Sequence, residues 1–197
     1  MATISKKEVH KFLDKHPDIP FSAAKFEYSS YLESEAVEYA NAISEKMLGE
    51  SEEDLRSKRM IEQAETTEEL LKLMRKPLSG GNRSRLRGKL LEYETVLMPY
   101  IKEKTMKNGQ DIFRENTLYF FLYCEENCCN WLMKEYSNIR NEYFKSMLCL
   151  VIGFRGDVEM LSFLTKETER LERMYLQETY AQGPILAIQE LAVRFLN

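Results

Sequence analysis

The residues best suited to chemistry in this 197-residue chain lie in KPLSGGNRSRLRGK, positions 76–89. Lys76, Arg83, Arg85, Arg87 and Lys89 bring positive charge to a Gly-Gly stretch that leads into a helical pattern. Backbone N–H groups and guanidinium forks in that setting suit a phosphate or a carboxylate. The alternative is a solvated basic face that neutralises the acidic N-terminal region. No acidic residue occurs between Glu69 and Glu92, while Lys72 and Arg75 extend the basic run to 72–89. Net charge is −5 over residues 1–75, +5 over 76–114 and −4 over 115–197, matching the overall −4. The segment is not a nucleotide-binding P-loop: Lys89 is followed by Leu90 rather than Ser or Thr, and position 83 is Arg rather than Gly.

Other reactive residue types do not form a catalytic pattern. Cys124 and Cys128 are four apart and can share a helix face, but zinc requires four ligands, and His10 and His16 lie far away in sequence. Cys129 and Cys149 read as small core hydrophobes. There is no H-E-x-x-H and no G-x-S-x-G. Neither histidine follows a glutamate by three positions, which removes the di-iron bundle pattern. Glu125 and Glu126 are adjacent, so on a helix they point about 100° apart and do not form a carboxylate pair. Trp131 sits beside a core position and reads as partly buried rather than as a base-stacking platform. No catalytic residue, metal ligand or cofactor is assigned.

These residues must be positioned by helices. Glycine and proline are few, and Leu, Glu, Lys and Met are plentiful. Ser5 and Glu8 have capping-box spacing before a helix over 5–15. A second helix is expected over 22–48, with Phe26, Tyr31, Leu32, Tyr39 and Ile43 on its inner face. A third starts at the acidic run 50–54 and continues through Leu55, Met60 and Ile61. A fourth starts at Thr66 or Thr67 and ends before Pro77. Residues 79–82 read as a loop that separates a helical cap, 1–78, from the rest of the chain.

From residue 83 the pattern repeats. A shift of 32 aligns Leu86, Leu118 and Leu150; Leu90, Leu122 and Phe154; Leu97, Cys129 and Leu161; and Tyr100, Leu132 and Leu164. A further shift reaches Leu186, Val193 and Leu196, with Gln182 breaking the first column. Such a period is typical of stacked helix pairs. The stretch 147–164 resembles a HEAT repeat: a first helix ending in Gly153, a Gly156-Asp157 corner, then spaced aliphatics. The stretch 96–101, with Pro99, is similar to the start of a HEAT second helix, and 183–188 to the opening of another first helix. The corner at 124–129 lacks Gly-Asp, and the third unit carries a long charged tail over 166–178.

The resemblance implies an all-α fold: a short HEAT-like α-solenoid of antiparallel helix pairs over 83–197 behind a helical N-terminal cap. It also implies a non-enzymatic scaffold or adaptor. The expected partner is a protein or acidic peptide, engaged by the basic residues. Binding or processing of nucleic acid through 72–89 is the second reading, which a sequence pI near 5.5 disfavours. The N-terminus lacks the apolar run of a signal peptide, and the apolar run 147–154 is far shorter than the roughly 20 residues a bilayer requires. A cytoplasmic protein without membrane contact is expected.

Overall fold

The computed structural model describes residues 5–15, 51–107 and 109–196. All regular structure among them is helical. The helix expected over 22–48 lies outside the described residues. The chain divides into two compact units: a middle unit, Tyr28–Glu126, and a terminal unit of Met1–Glu27 with Asn127–Asn197.

Helix α1, Lys6–Leu13, opens with the expected capping box and buries Val9 and Phe12 against the last helix of the terminal unit. In the middle unit, α2 (Glu52–Gln63) starts at Ser51, whose hydroxyl accepts from the Asp54 N–H. Glu52, Glu53 and Asp54 fill its first turn, where the helix dipole favours negative charge. Helix α3 (Thr67–Leu73) begins with a second capping box, Thr66 with Glu69. Helix α4 spans Gly80–Glu92, α5 Glu94–Thr105 and α6 Asp111–Tyr123.

The expected loop at 79–82 is corrected here: Gly80, Gly81 and Asn82 form the first turn of α4. Asn82 is buried and donates from Nδ2 to the Asp54 carbonyl at 2.9 Å, which holds this turn on α2. That hydrogen bond offsets the weak helix propensity of the two glycines. Asn116 ties α6 to the end of α3 in the same way, through the Met74 carbonyl at 3.1 Å. The corner after α6 is fixed by Glu94, whose carboxylate accepts the N–H groups of Glu125 and Glu126 at 2.6 and 2.9 Å.

In the terminal unit, α7 (Cys129–Glu135) runs into a 3-10 turn, Tyr136–Asn138. Helix α8 (Glu142–Arg155) is the central element, burying Phe144, Leu148, Cys149, Val151 and Ile152. It packs on α10 (Gln182–Phe195), which also contacts α9 (Leu161–Met174). Gly153 does not end α8. It lies within the helix, where a Cβ would sit 2.5 Å from the Ala187 Cα of α10. The missing side chain therefore lets two backbones touch.

Gly156 caps α8 with φ −79°, so the corner is an extended turn rather than a left-handed one. Asp157 does act as a cap, but of a 3-10 turn, Val158–Met160, that precedes α9. The charged tail expected from 166 is mostly the second half of α9, with Glu167, Thr168 and Leu171 buried. Arg194 closes the pair by donating from Nη2 to the carbonyls of Gly153 and Gly156 at 2.5 and 3.0 Å.

Two of the four repeat columns are buried in every copy: Leu86, Leu118 and Leu150, and Leu97, Cys129 and Leu161. Tyr100 departs by facing solvent, and Phe154 is half-buried. The extension into α10 is out of register. Ile185, Ile188 and Leu191 are buried there, whereas Leu186, Val193 and Leu196 are half-buried. No described helix is long and apolar enough to cross a membrane.

Candidate functional site

The five basic residues singled out in the sequence occupy three different places. On α4, Arg83 and Arg87 are one turn apart and lie about 40° from each other around the helix, as do Arg85 and Lys89. The buried Leu86–Leu90 stripe runs between the two pairs. Arg83 reaches Glu115 of α6 at 3.6 Å. One turn along, the Arg87 guanidinium lies 4.3 Å from the centre of the Tyr119 ring. On the other flank, Arg85 donates to Asn82 Oδ1 at 3.2 Å. Lys89 stands 5.3 Å from the Tyr93 ring centre and 3.9 Å from Glu92. The alternation R-x-R-x-R-x-K looks like one cluster in the sequence, but the 100° step of a helix separates it.

Lys76 is different. It follows α3 and borders a hollow of about 490 Å³ between α2 and α3. Its lining includes the apolar residues Met60, Ala64, Leu73 and Pro77, with Gln63 beside them. Lys72, Arg75 and Lys76 stand around it with Glu69. Arg75 is held in place by donating to the Leu71 carbonyl at 2.7 Å and by lying 4.9 Å from the Phe113 ring centre. Lys76 Nζ lies 3.5 Å from Ser57 Oγ. Glu69, the one acid among the described residues that line the hollow, is engaged at the start of α3. Its Oε2 accepts the Thr66 hydroxyl and the N–H groups of Thr66 and Glu65 at 2.8, 3.0 and 3.2 Å. The Thr66 hydroxyl is the main reason its carboxyl is held below the usual range. The hollow thus combines apolar lining with three cations, of which Lys72 is paired with Glu68 at 2.8 Å.

The terminal unit contains a second polar constellation, which sequence reasoning missed. Tyr136, Cys149 and Glu167 meet in its interior. The Tyr136 hydroxyl donates to Glu167 Oε1 at 2.9 Å and lies 3.3 Å from Cys149 Sγ. Arg170 bridges two carboxylates, Glu167 at 2.6 and 2.8 Å and Glu142 at 2.5 Å. Lys145 adds a 3.3 Å contact to Glu142. Two anions and two cations therefore neutralise one another.

Burial pushes the Cys149 thiol from 9.0 up to about 12, and burial likewise raises the Tyr136 phenol well above its ordinary range. Near neutral pH both groups keep their protons, and nucleophilic sulfur chemistry requires the thiolate. The arrangement holds α9 and the Tyr136 turn on α8; it does not activate a nucleophile. The only local signals in the sequence are the i,i+3 pairs Glu167–Arg170 and Glu142–Lys145.

All four cysteines are reduced and buried, as core packing requires. Among the described residues no group of three or more His, Cys, Asp or Glu is arranged to hold a metal. Trp131 is half-buried. No family model, curated protein or solved structure matches the chain. The fold defines an all-helical class, and its local chemistry is the remaining guide to function.

Proposed function

We propose that this protein is a non-enzymatic binding module of HEAT-like helix pairs that takes an acidic protein or peptide segment. The observation that carries this reading is the hollow of about 490 Å³ with an apolar floor and Lys72, Arg75 and Lys76 around it. The repeat part of the reading is supported by the two fully buried columns and by the helix order. Helices α4, α6 and α8 start 31 residues apart, at 80, 111 and 142, with α5, α7 and α9 following them. Short helical repeats present binding surfaces between their ends rather than enclosed active sites.

Nucleic acid is the weaker ligand for this hollow. Single strands bind where bases stack on aromatic side chains along a basic groove, and none of the described residues that line it is aromatic. The tyrosines near the basic helix, Tyr93 and Tyr119, already face Lys89 and Arg87.

The reading is tested by fluorescence anisotropy of labelled poly-Glu/Leu peptides and labelled single-stranded DNA against the full chain at low salt. Peptide retention that weakens with salt, and that a Lys72→Glu, Lys76→Glu double variant abolishes, is the expected result. Failure to retain any acidic peptide at low salt overturns it. Retention of DNA instead, lost with Arg83→Ala, Arg85→Ala and Arg87→Ala, replaces it with the nucleic-acid reading.

A further inference from the structure

The three cations around the hollow are not equivalent. Lys72 has a side chain 70% exposed and already has Glu68 as counter-ion. Arg75 and Lys76 are half-buried, and neither meets a carboxylate among the described residues. Their partners are neutral. Arg75 has the Leu71 carbonyl and the Phe113 ring of α6. Lys76 has the Ser57 hydroxyl at 3.5 Å and the Met60 sulfur at 3.6 Å. Glu69, which lines the same hollow, spends its carboxylate on the start of α3.

Partial burial decides which of the three an anion would feel. A cation withdrawn from water attracts an anion more strongly than a hydrated one does. It has also lost hydration that an arriving carboxylate restores in part. Arg75 is held by a carbonyl and a ring, yet its bond to Leu71 leaves most of the guanidinium donors unspent. Lys76 is held by two long contacts that cost little to give up.

The surroundings of Lys76 set what the anion must carry with it. Met60, whose sulfur lies against the ammonium, is 41% exposed, and Pro77, the next residue, is exposed as well. Positive charge and apolar contact are therefore offered side by side.

Resting on the acidic-segment reading above, we infer that Arg75 and Lys76, and not Lys72, select the ligand. What they select is a carboxylate with an apolar side chain beside it on the same face of the partner. Arg75 is the fixed half of this clamp and Lys76 the movable half, while Met60 and Pro77 take the apolar side chain.

The test is anisotropy of labelled Glu/Leu peptide and of an equally charged Glu/Ser peptide against the full chain at low salt. The Glu/Ser peptide should bind about tenfold more weakly. Arg75→Gln and Lys76→Gln should each weaken Glu/Leu binding about tenfold, and Lys72→Gln by less than about twofold. Arg75→Gln also removes contacts to Leu71 and Phe113, so Arg75→Lys is the second variant. It keeps the charge, loses the fork, and should fall between wild type and Arg75→Gln. A charge swap gives a readout that a purely structural role would not move. Lys76→Glu should raise affinity for a Lys/Leu peptide about tenfold, and Lys72→Glu by less than about twofold.

If Lys72→Gln costs as much as Lys76→Gln, or if Lys76→Gln and both Arg75 variants cost nothing, the assignment is overturned and the acidic-segment reading stands. Equal binding of the Glu/Leu and Glu/Ser peptides likewise overturns the apolar requirement alone. If no acidic peptide binds at low salt, both readings are overturned. Self-association of the chain that Lys76→Gln abolishes overturns the peptide occupant in favour of a second copy.

Discussion

The terminal unit and the middle unit differ in how deeply they bury the acids of their ion pairs. In the terminal unit Glu167 is buried, Arg170 and Glu142 are mostly buried, and each charge meets its opposite within hydrogen-bonding distance. In the middle unit Lys102 and Arg114 pair with Glu126 and Asp111 at 2.5 and 2.6 Å, but those acids are half or more exposed, and Arg75, Arg87 and Lys89 lie over aromatic rings. Burial raises the strength of a charge pair and the penalty for breaking it. Exposure lowers both and leaves the charge available to a visitor. The contrast gives the buried charges of the terminal unit a structural role.

The sharpest way to break this contrast is Arg170→Met. It strands Glu167 and Glu142 together in the terminal unit and should lower unfolding free energy by about 2–3 kcal/mol in urea titrations, because removing one partner leaves uncompensated charge. Adding Glu142→Gln and Glu167→Gln should restore part of the loss. An unchanged urea midpoint for Arg170→Met would remove the structural role of the network.

Gly153→Ala comes next, at about 1–3 kcal/mol, since overpacking forces the helices apart. The closest atom to the new methyl group is the Ala187 Cα, so Ala187→Gly should not rescue it. Full rescue would show that the two backbones approach less closely.

A smaller effect is expected with pH. The Cys149 thiol is raised by burial to about 12, so the unfolded chain releases this proton near 9 while the native state retains it. Stability is then fully present below pH 9 and declines as pH rises towards 12, by at most ~1.4 kcal/mol per pH unit for this group. Cys149→Ala should flatten that slope in urea midpoints measured from pH 8 to 10.5.

Smallest of all are stability effects in the middle unit. Arg83→Ala, which removes a 3.6 Å surface pair with Glu115, should cost less than ~1 kcal/mol. Lys76→Glu should leave the urea midpoint in place while removing peptide binding. A large loss of stability from either would erase the distinction between the units.

Local features were legible in the sequence because they depend on neighbours. The Ser5–Glu8 and Thr66–Glu69 boxes appear as expected. The stop before Pro77 holds, and two columns of the 32-residue pattern are buried throughout. Features that depend on distant partners were not legible. The Gly80-Gly81 stretch reads as a loop until the Asp54 carbonyl is brought to Asn82, 28 positions away. Of Leu55, Met60 and Ile61 only Ile61 is buried, because helical spacing fixes a stripe but not which stripe faces inward. The Tyr136 network joins residues 13 and 31 apart, and the i,i+3 ion pairs inside it look like ordinary surface pairs.

The enclosed sulfurs have a practical consequence. Cys124 belongs to the middle unit and Cys128, Cys129 and Cys149 to the terminal unit, all without disulfide partners. An alkylating reagent can modify them only when the surrounding helices open. Timed labelling followed by peptide mass spectrometry thus turns each thiol into a clock for its own unit, with no added probe and no change to the surface where a partner would land.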